Sequence, residues 1–128
     1  MKKAFIDSNI IIRLFAKDHE QQFFHAQKII RDIEQDAVQG LISILVVNEI
    51  LWILENFYDL KRATFVPWLL QLISLRNIKI IEIKKDLLIT ILKHMEKQKI
   101  DFTDLYLFYT AGKTPIMSFD KDFQKITT

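Results

Sequence analysis

Cysteine is absent from this chain, and glycine and proline occur only twice each. Without thiols there can be no disulfide and no thiolate metal site, which fits a reducing, cytoplasmic setting. Long apolar runs are missing too. The longest, "LISILVV", stops at Asn48 and Glu49, far short of the ~18 residues that span a bilayer. The basic N-terminus has no extended apolar region and no small-residue cleavage site, so it does not read as a signal peptide. Charge of one sign is scarce: a formal net charge of +2 does not by itself announce nucleic-acid binding, although scattered lysines suffice for a weak electrostatic contact. No repeat, low-complexity segment or linker interrupts the chain.

What remains is hydrophobic. Half of the 128 residues are apolar and ten are phenylalanine, which excludes disorder and predicts one domain over residues 1–128 with a core of its own. Short apolar runs rich in β-branched residues, at 4–6, 41–44, 78–83 and 115–118, read as strands. Between them, apolar residues recur at helical spacing. Phe23, Ala26, Ile30 and Ile33 form one series; Leu87, Leu88, Ile91, Leu92 and Met95 form another. Segments 46–57 and 65–75 are helical by length, with Pro67 expected in the first turn of the second. Gly40 is expected before the second strand, and Gly112 at a helix end. Strands alternating with helices predict an α/β fold: a parallel sheet covered on both faces, with its ligand site beyond the carboxyl ends of the strands.

Several acids are placed where that site should be. Asp7 directly follows the first strand, in "FIDSNIII", where it can also be a helix N-cap. Glu49 has Val46, Trp52 and Ile53 as its helical neighbours, which sets it on or beside the expected buried face. A carboxylate there must be protonated, paired with a lysine or arginine, or bound to a cation. Asp101 and Asp104 lie three apart in "IDFTDLYLFYTAG". They can serve as cap and first-turn acid, although Leu107 and Phe108 suggest that the side carrying Asp104 faces the core. Asp120 and Asp122 follow the last strand, where isolated acids would be an ordinary polar turn. In a parallel sheet all of these converge on one edge. Clustered carboxylates repel unless a cation neutralises them, and such hard oxygen ligands suit Mg²⁺ or Mn²⁺. A carboxylate-held divalent ion beside a phosphate is the equipment of phosphodiester hydrolysis.

"FIDSNIIIRL", "SILVVNEILWIL", "DFTDLYLFYTA" and "SFDKDF" together resemble, in order and spacing, a PIN domain of the VapC toxin type, from about residue 3 to about residue 126. The resemblance implies a three-layer α/β/α fold around a central parallel sheet of four to five strands, and a Mg²⁺- or Mn²⁺-dependent ribonuclease held by an antitoxin partner. Asp7, Glu49, Asp104 and Asp120 match the family's metal-binding, catalytic acids. Asp101 and Asp122 match frequently acidic positions, and Asn9 and Ser43 match polar positions near the site. Ser8 and Ser118 stand where threonine or serine is usual. Leu105 departs from the pattern: a small residue is typical there, and its bulk would narrow the pocket or shift the helix.

Other features are less specific. His19, His25 and His94 lack metal-ligand spacing and read as surface residues, so no histidine general base is expected. Arg13 can reach a phosphate or make a salt bridge. Lys93, Lys97 and Lys99 can guide an RNA backbone or simply face solvent. Trp52, Phe57, Tyr58, Phe65 and Trp68 can fill the core, receive an amphipathic antitoxin helix, or join two copies as a homodimer. A PIN-fold RNA- or protein-binding module without nuclease activity is the alternative reading. A phospho-acceptor receiver domain fits poorly, because the third strand ends in "EIKKD", with Asp86 resembling a cap, and Glu49 would have no role.

Overall fold

The computed structural model describes residues 1–126. Strands β1 (Lys2–Phe5), β2 (Val38–Ile42) and β3 (Ile78–Ile80) pair in parallel, in the order β1-β2-β3. Parallel neighbours need long crossovers, and helices provide them. Helices α1 (Ser8–Ala16) and α2 (Glu20–Glu34) join β1 to β2, and α3 (Ile44–Trp52) and α4 (Arg62–Ile73) join β2 to β3. Helices α5 (Lys85–Lys97), α6 (Phe102–Ala111) and the four-residue α7 (Asp122–Lys125) follow. No helix among the described residues is long and apolar enough to cross a membrane.

The apolar spacing explains which faces are buried. Ala26, Ile30 and Ile33 of α2 and Leu88, Ile91, Leu92 and Met95 of α5 all enter the core, as their three- and four-residue intervals require. On the sheet, Gly40, Ile42, Ile78 and Ile80 are buried, whereas the alternate positions Lys3, Phe5, Gln39, Leu41 and Lys79 are exposed or half-buried. The expected covering of both faces is thus incomplete: one face is open, and β1 is exposed along its whole length, Lys2 and Ala4 included.

Three strands form among the described residues, not four or five. Residues 115–118 make no ladder. Pro115 has no N–H to give, and Met117 and Phe119, at 94% and 108% exposure, find no surface to cover. Other boundaries shift as well. Gly40 lies inside β2 rather than before it. Pro67 is the sixth residue of α4, not in its first turn; the position is exposed, so the Ala63 carbonyl it leaves unpaired can face water. His94 is buried, not on the surface: its ring nitrogens lie 2.7 Å from the Tyr109 hydroxyl and 2.6 Å from Gln98 Oε1.

Two local devices set the geometry around the later helices. After Trp52 the helix widens into a π turn over Ile53–Phe57. There the Tyr58 N–H donates to the Ile53 carbonyl (3.1 Å), and Asn56 Nδ2 donates to the Trp52 carbonyl (3.0 Å). The second device is Arg62, whose side chain is only 11% exposed. It donates to Glu55 Oε2 (2.7 Å), to the carbonyls of Ile100 (2.7 Å), Gln98 (3.3 Å) and Met95 (3.4 Å), and lies 3.8 Å from Asp101. One guanidinium thus joins the π turn, the end of α5 and the start of α6.

Gly40 marks where the sheet is packed most closely. A Cβ built there would stand 2.8 Å from Ile78 Cδ1 and 3.0 Å from Ile33 Cδ1, both on buried side chains. Gly40→Val should therefore cost about 1–3 kcal/mol, the usual penalty of overpacking a core. Urea unfolding should show a lower midpoint with an unchanged slope; an unchanged midpoint would show that the core yields freely at this point.

Candidate active site

Asp7 stands just after β1, at the start of the crossover to β2, as its place in the sequence required. It is the N-cap of α1, and its Oδ1 accepts from the Ser8 N–H at 2.8 Å. The cap is thus Asp7 itself, and Ser8 has a different task. Ser8 is 1% exposed, and its hydroxyl donates to Glu49 Oε1 at 2.5 Å. One buried serine thereby fixes two carboxylates, one through its backbone and one through its side chain.

Glu49 is exposed, contrary to its expected place at the buried face. The core face of α3 is formed by Val47, Ile50 and Leu51, and Trp52 is 63% exposed. The aromatic neighbour that suggested burial is itself on the outside. On α6 the expectation holds in part: Phe102 and Leu105 are buried and Phe108 packs against the core, while Leu107 is exposed. Asp104 is half-buried beside that face. Leu105 is fully enclosed in the core.

Among the described residues, Asp104, Asp120 and Asp122 form an acidic group, each with one carboxylate oxygen within 4.8 Å of the others. Asp104 stands in the first turn of α6, and the short α7 packs against that helix. Asp120 Oδ1 accepts from the Asp122 N–H at 2.9 Å, while the Asp120 N–H donates to Ser118 Oγ at 2.9 Å, so the turn between them is closed by its own polar groups. Lys125 lies 3.7 Å from Asp122. Burial, and then the charges of Asp101, Asp120 and Asp122, push the Asp104 carboxyl above its ordinary pKa. Asp7 and Glu49 lie outside this 4.8 Å group. The acids are therefore arranged as a triad and as a serine-linked pair.

The remaining candidates are dispersed. Asp101 is the N-cap of α6 without a side-chain cap bond. Asn9 is exposed on α1. Ser43 caps α3, and its hydroxyl donates to Glu82 Oε2 at 2.6 Å while the Ile44 N–H donates to Glu82 Oε1 at 2.7 Å. Glu82 is pulled below the usual carboxylate range by the Ser43 hydroxyl despite some burial. Sequence reasoning overlooked this acid, although it follows β3 as Asp7 follows β1. Arg13 pairs with Asp18 at 2.5 Å and donates to the Tyr58 hydroxyl at 3.1 Å. Lys93 and Lys97 are exposed on α5.

The family model described as "PIN domain" matches residues 4–128. No curated protein and no solved structure gives a match to the chain.

The raised Asp104 pKa has a thermodynamic consequence. A carboxyl that holds its proton more tightly when folded makes the folded state lose stability as pH rises from the ordinary value of 3.8 through the raised one. In metal-free buffer, Asp104→Asn should melt at a higher temperature than the parent at neutral pH. The difference should vanish below the ordinary value of 3.8, where both side chains are neutral. An equal difference at both pH values would show that charge repulsion is not its cause.

Proposed function

The chain belongs to the PIN domain family, and from that premise we propose that it is a divalent-metal-dependent endoribonuclease of the toxin kind. PIN domains are in general nucleases, and PIN nucleases generally use divalent metals. The observation that carries the reading is the triad of Asp104, Asp120 and Asp122 within 4.8 Å, with Asp104 driven towards its protonated form. Three carboxylates so close are mutually unfavourable without a cation, and their oxygens suit Mg²⁺ or Mn²⁺.

In this reading Asp104, Asp120 and Asp122 hold the ion, and the pair Asp7 and Glu49 completes the acidic edge. Such an ion supplies positive charge at the phosphoryl oxygens and lowers the pKa of water. The protein's own contribution is placement. Ser8 fixes the Asp7–Glu49 pair, and Asp101 starts the helix that carries Asp104. Lys93 and Lys97 offer charge to an RNA backbone; Arg13, engaged with Asp18, is a weaker candidate. An antitoxin helix and a second copy of the chain are proposed partners, and the exposed Phe57 and Trp68 offer surfaces for them. The separation of the Asp7–Glu49 pair from the triad favours one other reading, a PIN-fold binding module without turnover.

Purified protein should cleave single-stranded RNA with Mg²⁺ or Mn²⁺ and stop in EDTA. Asp104→Asn and Asp120→Asn should each slow cleavage by at least about 100-fold, the scale of removing one electrostatic group from a transition state. Wild-type rates in both variants would reject the assignment. RNA binding with no cleavage in any metal would favour the binding module.

A further inference from the structure

A cavity of about 310 Å³ opens beside the acidic edge, between the end of α3, the π turn and the first turn of α6. Leu51 and Phe102 form its apolar floor, and both are almost fully buried. Trp52 stands on its wall, 63% exposed, and its indole meets no other aromatic ring among the described residues. A large indole left in water at the mouth of a cavity is an unused stacking surface.

The polar groups around it are equally uncommitted. The Asn48 carboxamide and the Thr103 hydroxyl have no hydrogen-bond partner among the described residues. Asn56 gives Nδ2 to the Trp52 carbonyl, which holds Trp52 and Asn56 in fixed relation and leaves Oδ1 free. By contrast Arg62, at the back of the cavity, is fully engaged with Glu55 and three carbonyls. The cavity therefore has a rear held by the Arg62–Glu55 pair and an open front where neutral donors and acceptors stand beside the Asp101 carboxylate.

We propose that this cavity is a nucleobase subsite, in which one unpaired base of single-stranded RNA stacks on Trp52 and presents its polar edge to Asn48 and Asn56. An apolar floor, a free aromatic face and carboxamides that both donate and accept are what recognition of a splayed base requires. The volume lies at the lower end of the range that holds a small ring system. Position links the cavity to the chemistry. Trp52 is one turn beyond Glu49 on α3, and Thr103 immediately precedes Asp104 on α6. Asp101, on the cavity wall, is one of the charges that act on Asp104. A base held there would set the phosphate of its own nucleotide, or of the next, towards the carboxylates. The subsite rests on the nuclease reading for its purpose, but base binding is measurable without cleavage.

Trp68 is the other of the two tryptophans, so Trp68→Phe leaves Trp52 as the sole indole reporter. This protein is titrated in EDTA with a short single-stranded oligoribonucleotide, and with the same strand made abasic at each position in turn. Saturable quenching of Trp52 is expected, with one abasic position weakening binding by about 5- to 150-fold, the range for loss of one stacked base. Trp52→Leu in the otherwise native chain should weaken binding by the same factor and Trp52→Phe by less. Asn48→Ala and Asn56→Ala should blunt the preference between bases. Full affinity for every abasic strand, an unquenched Trp52, or native affinity in Trp52→Leu would overturn the subsite; the last two are also what a protein side chain as the true occupant would give. Cleavage with Mn²⁺ separates the two claims. Base-dependent quenching without cleavage keeps the subsite and removes the nuclease, whereas native cleavage by Trp52→Leu at unchanged positions does the reverse.

Discussion

The buried guanidinium of Arg62 is the contact around which the later half of the fold is organised. A charge taken out of water must be met on every donor, and here Glu55 and the carbonyls of Met95, Gln98 and Ile100 meet it. Those partners belong to three different segments. Satisfying one side chain therefore fixes where the π turn ends, where α5 stops and where α6 begins. The start of α6 decides the position of Asp104, and the π turn follows directly on Trp52. The helix that carries Asp104 and the cavity beside Trp52 thus share one mechanical support.

A second support lies at the other end of the site. Ser8 is buried and small, and it uses its N–H and its hydroxyl to hold Asp7 and Glu49. Neither carboxylate needs a cation partner from the protein to be positioned. This leaves the Asp7–Glu49 pair with negative charge that no lysine or arginine among the described residues pairs with, a condition that favours uptake of a hard cation.

Much of this was legible because it follows from short-range rules. Asp7 at a strand end, Asp101 at a helix start and Gly112 at a positive-φ helix end (φ +58°) each require only local stereochemistry. The closeness of Asp104, Asp120 and Asp122 agrees with their expected convergence, whereas Asp7 and Glu49, expected with them, form a separate pair. What escaped depends on which side of a helix the rest of the molecule covers. Trp52 looks like a core residue by composition, and the inference that Glu49 is buried fell with it. His94 looked polar, yet Gln98 and Tyr109, four and fifteen positions away, satisfy it inside. Residues 115–118 had the composition of a strand but no partner, and pairing is a property of two segments, not one. Gly40 seemed a punctuation mark, whereas its use is the close approach of Ile33 and Ile78.

The triad is assembled from unequal parts. Asp104 belongs to a ten-residue helix seated on the core, while Asp122 opens a four-residue helix and Asp120 stands just before it, after a stretch almost wholly in water. A cation bound among them would act as a clip that closes the intervening loop, and the entropy of that closure would be subtracted from its affinity. Metal occupancy and the order of the chain's tail are on this account one equilibrium. A protease acting on residues 113–119 would separate two of the three carboxylates from the third with a single cut.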